Sequence, residues 1–341
     1  QVLVAQKFDT GSLEMKGDSI PIITQPENAT SAPARFSVSY NGVLVWQGEW
    51  KREYQLFWID RAGKQVGAIG EPAFVSSGQE PRLSPDGKRL ALKRDGAIWI
   101  TDLAGENGIK LGPGQLPTWS PDGTRLVFTG VAGVDRGIVE RAANGVGDPV
   151  LLLRGVVFPK VWTPDGRFLF YMQRGPITRS DIWVLPSFGD RKEYPLLNSA
   201  ADENTPLISA NGQWIAYLSD ESGYSELYVQ SLTADGKLGT ERKRISGNGA
   251  LSPVWSSDGK ELFFIGRDRQ MMATTVKTDG PQFEFTQPVA LFKTRTVFQY
   301  GAFQEFDVTP DLQRFLIGTL IGEPKSANPT VIINWPAALK K

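Results

Sequence analysis

The sequence predicts an all-β fold built from repeated four-stranded antiparallel blades. Two observations predict it: a hairpin turn that recurs along the chain, and short β-branched and aromatic runs that follow it in a constant order. A third is negative. No stretch carries the apolar period of an amphipathic helix.

The turn comes first. In "QLPTWSPDGTRLVF" (115–128), Ser120-Pro121-Asp122-Gly123 stands between two apolar runs. Pro presets φ near about −65° at the second turn position, Asp bonds nearby backbone at the third, and Gly takes a positive φ at the fourth. That is hairpin chemistry, and the flanking "RLVFTG" (125–130) has strand composition. Copies follow at Ser39, Ser84, Ser120, Thr163, Ser209, Ser256 and Thr309, with spacings of 36 to 53 residues. Pro81, Pro117, Pro206 and Pro253 each lie three residues before the turn Ser, so the register extends beyond the turn. The period fits four-stranded propeller blades.

The remaining strands follow in order. A second strand leaves the turn, as in "WIAYLSD" (214–220). A third comes next: "QLFWIDR" (55–61), "AIWITDL" (97–103), "DIWVLPS" (181–187), "ELYVQSL" (226–232). A weaker fourth closes each period, as in "PVLLLRG" (149–155) or "ALFKTR" (290–295). At the ends, "VLVAQKFDTGSLEMKGDSIPII" (2–23) resembles 271–292, reading as a third strand, a linker and a fourth strand. The closing "PTVIINW" (329–335) reads as a third strand with no fourth. Residues 1–24 are therefore expected to close the ring against a C-terminal blade at 306–335, within a single domain spanning 1–341. Seven first-strand copies predict seven blades. Eight would follow if the N-terminal pair belonged to a truncated blade, and six if one copy fell outside the ring. With Gln1 in place of an initiator Met, the chain is expected to be a piece of a longer one.

Composition narrows the chemistry. The 37 basic and 37 acidic residues cancel, so no global field steers nucleic acid or an acidic membrane. No apolar run is long enough to span a bilayer, so this chain is expected not to insert. Cysteine is absent, which excludes disulfides, thiolate metal sites and cysteine nucleophiles. Histidine is absent too, so Ser-His-Asp machinery and His-ligated metal sites cannot be built. There is no G-x-S-x-G and no glycine-rich phosphate loop before a helix. No cofactor, metal site or catalytic residue is expected.

Several residues stand out. Asp86, Asp122, Asp165, Asp258 and Asp311 are expected to cap their own turns rather than bind calcium, since no neighbour completes an acidic loop. Trp119, Trp162 and Trp255 share one repeat position and are expected to pack blade against blade. Arg242, Lys243 and Arg244 in "ERKRIS" (241–246) are expected in a solvated loop before a strand. The connections between blades should line the face opposite the turns. Glu80, Glu203 and Glu305 fall there at near-equivalent places, a candidate ring of carboxylates for a cation, an amine or a basic peptide. Tyr224, in "DESGYSE" (220–226), should lie on the same face.

The Ser-Pro-Asp-Gly repeats followed by "IWITDL"-type strands resemble the TolB-like family of WD-like propellers. A closer resemblance covers nearly the whole chain. Segments such as "QLFWIDRAGKQVGAIGEP", "WIAYLSDESGYSELYVQ", "FDVTPDLQRFLIGTL" and "VIINWPAALKK" are similar to the C-terminal propeller region of large bacterial membrane proteins. Those carry a cytoplasmic serine/threonine protein kinase domain, a membrane span and TolB-like repeats. The resemblance implies a non-catalytic, periplasmic or otherwise extracytoplasmic module of a membrane-anchored parent. Its role would be to sense a ligand or bind a protein, peptide or envelope glycan. The kinase itself is not in this chain, which has neither His-Arg-Asp nor Asp-Phe-Gly. "GIVERAANG" (137–145) and "SANG" (209–212) depart from the family pattern. Two other classes stay open. One is a carboxylate-based hydrolase or lyase in the central channel, which buried paired acids would favour. The other is a structural component of an envelope assembly.

Overall fold

The structure is a computed structural model that describes residues 2–24, 35–47, 51–74, 80–175, 178–280, 282–296, 305–325 and 330–340. It is all-β, with one short 3-10 turn at Trp335–Lys340 and no α-helix among the described residues. The chain forms two compact units. One comprises Gln1–Tyr54, Pro72–Ser77 and Ile321–Lys341, the other Gln55–Glu71 and Gly78–Leu320.

The larger unit is a propeller whose blades follow the predicted period. Blade 1 holds Arg82–Leu83, Arg89–Arg94, Ala97–Asp102 and the first half of Gly108–Trp119. The second half of that long strand opens blade 2, which continues through Arg125–Ala132, Asp135–Ala142 and Val150–Arg154. Blade 3 is Val157–Trp162, Phe168–Gln173, Asp181–Pro186 and Tyr194–Leu197. Blade 4 is Glu203–Ile208, Trp214–Ser219, Glu226–Leu232 and Leu238–Arg244. Blade 5 is Leu251–Trp255, Glu261–Ile265, Gln270–Lys277 and Val289–Lys293, with Glu284–Phe285 added along the third strand. The last sheet orders Phe306–Val308, Arg314–Lys325, Lys51–Asp60 and Gln65–Phe74.

Two expectations are corrected here. The strands that complete the C-terminal blade are Lys51–Asp60 and Gln65–Phe74, not residues 1–24. Val2–Asp9 and Glu14–Thr24 instead pair with each other in a two-stranded sheet. The blade count changes with this. The first strands of blades 1 to 6 touch in a closed cycle, the sixth returning to the first, so the described ring has six blades. The copy at Ser39 lies outside it. Its turn joins Arg35–Val38 to Val43–Gln47, which pairs with Thr330–Ile333 in a three-stranded sheet of the smaller unit. Turn chemistry is local and specifies a hairpin. Which distant strand covers that hairpin's edge is set by tertiary packing.

The turns are built as predicted. In every ring copy the Ser or Thr hydroxyl donates to the Asp or Asn two residues on, as in Ser120 to Asp122 at 2.5 Å. The Asp carboxylate then accepts a backbone N–H, Thr124 N at 3.0 Å in this case. These bonds, the Ser120 hydroxyl first, hold the Asp122 carboxyl down to about 2. The Gly takes positive φ, +66° at Gly123 and +67° at Gly87. A Cβ on Gly87 would come within 2.7 Å of the Pro310 ring, so one blade's turn rests on the turn proline of the preceding blade. "SANG" keeps the same bonds through Asn211.

Packing lies between blades. Trp119 joins Leu126 and Phe128 of blade 2 to Ile98, Ile100 and Leu111 of blade 1. Trp162 does the same between blades 2 and 3, and Trp255 packs on the cluster shared by blades 4 and 5. Trp119 Nε1 also donates to the Arg82 carbonyl at 3.0 Å, and the Arg89 guanidinium lies 4.8 Å from its ring centroid. "ERKRIS" differs from expectation: Arg242, Lys243 and Arg244 are on the outer strand of blade 4, where Arg242 pairs with Glu221 at 2.8 Å.

Candidate functional site

The first strands carry a repeated irregularity. In blades 2 to 5 their pairing with the second strand slips just before the turn, as a β-bulge. The residue four positions before the turn Ser takes a left-handed φ in several blades: Glu80 (+53°), Leu116 (+57°), Thr205 (+51°) and Ser252 (+46°). Non-glycine residues adopt this region at a cost, and a bulge re-aims the side chains around it. Glu80 and Glu305 both occupy this position, relative to Ser84 and Thr309. Glu203 does not. It lies six positions before Ser209, so the expected three-membered ring reduces to a pair.

Glu80 and Glu305 are nearly fully buried, at 1% and 4% exposure, in first-strand segments of adjacent blades. Glu80 Oε2 accepts from the Leu116 backbone N–H of blade 2. Its Oε1, and Oε2 of Glu305, are buried without a hydrogen-bond partner. Burial, and then the charge of Glu80, push Glu305 up to about 8. Burial also raises Glu80, against the pull of Lys93, the Leu116 N–H, Lys160 and Arg82.

Three residues that sequence reasoning missed complete the cluster. Lys160, 5% exposed, sits on the first strand of blade 3. Burial, and then the neighbouring Arg82, bring it down to about 7, while Glu80 acts in the opposite direction. Asp307 of blade 6 reaches blade 1, its Oδ2 accepting from Leu83 N at 2.8 Å and its Oδ1 from Val308 N at 2.9 Å. Burial raises its pKa and Arg82 counters that. A signal for these three was present. Arg82 and Asp307 stand two residues before the turn, where other copies have Thr118, Val161, Leu207 and Val254, and Lys160 takes the place of the recurrent proline. Part of the cluster serves as stitching, since Asp307 and Glu80 each tie one first strand to the next. The two unmatched carboxylate oxygens lie beyond that role.

The other predicted residues lie elsewhere. Glu203 is buried, held by a hydrogen bond from the Ser199 hydroxyl, with Asp181 and Glu221 as its charged neighbours. Tyr224 is 47% exposed in the turn between the second and third strands of blade 4, with the Arg267 guanidinium 5.0 Å from its ring centroid. Among the described residues no group of three or more His, Cys, Asp or Glu is arranged to hold a metal ion. Nor is any helix among them long and apolar enough to cross a membrane.

No family model matches the chain. It is 24% identical over 204 residues to the uncharacterized protein Atu1656 of Agrobacterium fabrum, an alignment that takes in 56% of this chain and spans 66% of that protein's length. Among solved structures, one assigned to TolB of Agrobacterium tumefaciens superposes with a TM-score of 0.57 at 20% identity, covering 81% of this chain and 100% of that one. An oligogalacturonate lyase in complex with manganese gives 0.52 at 14% identity, over 86% and 97% of the two chains. A protein of Bacteroides uniformis assigned as a 6-phosphogluconolactonase gives 0.50 at 12%, over 83% and 100%. At these identities the likeness is one of fold: a β-propeller of the kind found both in TolB-like proteins and in enzymes.

Proposed function

We propose that this chain is a recognition module, a propeller that holds a polar ligand at the Glu80–Glu305 cluster of its ring. It would serve as the extracytoplasmic, ligand-sensing part of a larger receptor-like kinase protein, with a protein, peptide or envelope glycan as its ligand. The observation that carries the binding role is the pair of buried carboxylates with unmatched oxygens, set beside Lys160 and Arg82. A buried acceptor without a donor is costly, and a ligand hydroxyl or N–H supplies one. The placement outside the cytoplasm and the link to a kinase rest on the sequence resemblance.

The test is a thermal-shift screen of the chain against envelope glycans and peptides. A true ligand at about a hundred times its dissociation constant adds about 2.7 kcal/mol of stability. That gain should shrink in Glu80→Gln and Glu305→Gln. A ligand whose shift survives both substitutions would place recognition elsewhere.

A second reading, a carboxylate-based hydrolase or lyase, is favoured by one observation. Two groups that each interact with Glu80 are brought near neutrality: the Glu305 acid, at about 8, and the Lys160 amine, at about 7. Such a pairing suits general acid–base work. Mass spectrometry of any ligand found above, after incubation with the protein, separates the readings: intact ligand supports recognition, and a product that disappears in Glu305→Gln supports catalysis.

A further inference from the structure

Glu203, which departs from the ring, stands in a second acidic environment. It opens the first strand of blade 4, and Asp181 opens the third strand of blade 3. Both are buried, at 2% and 5% exposure. Asp181 and Glu221 are the charged groups that raise Glu203, after burial itself. One Glu203 oxygen takes the Ser199 hydroxyl, and the other, Oε2, is buried without a partner. Asp181 Oδ1 accepts from the Thr178 hydroxyl at 2.5 Å.

The guanidiniums nearby are engaged with other acids. Arg179 Nε lies 2.6 Å from Asp202 and its terminal nitrogen 3.9 Å from Asp220. Arg242 pairs with Glu221 at 2.8 Å and donates to the Tyr217 hydroxyl at 2.7 Å. Among the described residues, neither Asp181 nor Glu203 has an ion-pair partner. The backbone fixes the geometry: Glu203 N donates to Ser180 O at 3.0 Å, and the Ser180 hydroxyl donates back to Glu203 O at 2.8 Å. Gly175 packs directly against this carboxylate: a Cβ there would stand within 2.8 Å of both Asp181 oxygens, so only glycine lets the backbone approach Asp181 this closely.

We propose that Asp181 and Glu203 form a second binding site, between blades 3 and 4, for the primary ammonium group of a small amine ligand. The Ser180–Glu203 bonds bring these two buried acids onto adjoining backbone without a counter-charge, and a cation bound there supplies the donor that Glu203 Oε2 lacks. An ammonium brings three donors on a compact centre, enough for Glu203 Oε2 and for Asp181.

Cadaverine is the probe, titrated into the whole chain at pH 7.5 and constant ionic strength, with heat and thermal stability as readouts. Saturable one-to-one binding is expected, not reproduced by tetramethylammonium, which has no N–H. The dissociation constant should rise at least tenfold in Glu203→Gln and in Asp181→Asn, and should stay within twofold in Glu305→Gln. Absence of saturable binding to the unmodified chain overturns the proposal, whatever the variants do. Binding unchanged in a folded Glu203→Gln overturns it too, and loss in Glu305→Gln alone would transfer the amine to the ring cluster.

Discussion

Replacing Glu305 by Gln tests the ring cluster directly. Burial and the adjacent Glu80 carry the Glu305 carboxyl from its ordinary 4.5 to about 8. In the unfolded chain it ionises above 4.5, whereas in the folded chain it keeps its proton to about 8. Between those limits the folded state binds more protons, so stability falls as pH rises. At about 1.4 kcal/mol per pH unit, the loss accumulates to about 5 kcal/mol above pH 8. Gln has the shape of the protonated acid and no titration. Glu305→Gln should therefore match the unmodified chain at pH 4.5 and exceed it by several kcal/mol at pH 9. Urea unfolding followed by tryptophan fluorescence at both pH values measures this, and the difference between the two proteins cancels most other titrations. An equal stability difference at pH 4.5 and pH 9 would refute the reasoning, for it would mean that Glu305 ionises as an exposed acid does.

Lys160 should show the opposite dependence. Its fall from 10.5 to about 7 weakens the protein most below pH 7 and relents as pH rises towards 10.5, so Lys160→Met should gain stability at pH 6 and lose that gain by pH 10.5 in the same assay. Gly87→Ala should lower the melting temperature more than Gly166→Ala. Both require a left-handed alanine, a cost of about 1–2 kcal/mol, but only at Gly87 does the new Cβ strike the proline of a neighbouring blade. Trp119→Ala should cost about 3–5 kcal/mol and Trp119→Phe about 1 kcal/mol, the latter reflecting the bond to the Arg82 carbonyl. Chemical denaturation ranks all four.

Much of the ring was legible in the sequence because its grammar is local. Ser120-Pro121-Asp122-Gly123 names its own hydrogen bonds, and the caps at Asp86, Asp122, Asp165, Asp258 and Asp311 form as read. The tryptophans pack between blades for the same reason: their position relative to the turn is constant. What escaped was long-range or fine-grained. "QLFWIDR" reads correctly as a third strand, but nothing within it says that Arg314–Lys325, rather than its own upstream hairpin, will be its neighbour. The carboxylates were found by proximity to blade connections, a measure too coarse to register two residues. Glu80 and Glu305 share one place relative to the turn and feel each other's charge, whereas Glu203, two residues off, feels Asp181 instead. Arg82, Lys160 and Asp307 were passed over because a charge on a short inner strand looks unremarkable until the ring closes around it.

The split composition of the sixth blade sets an order on biosynthesis. Lys51–Asp60 and Gln65–Phe74 leave the ribosome before the other five blades, yet the strand that covers the open side of Lys51–Asp60 is Arg314–Lys325, made after all of them. Until then the nascent chain carries a bare strand edge, a template for any other extended segment in the vicinity. The clasp is also the contact of greatest sequence separation in the ring, the kind that folds slowly. A ribosome stalled before Phe306, or a protease that removes Phe306–Lys325, would leave five complete blades and one exposed half, a species for chaperones to hold and for aggregation to consume.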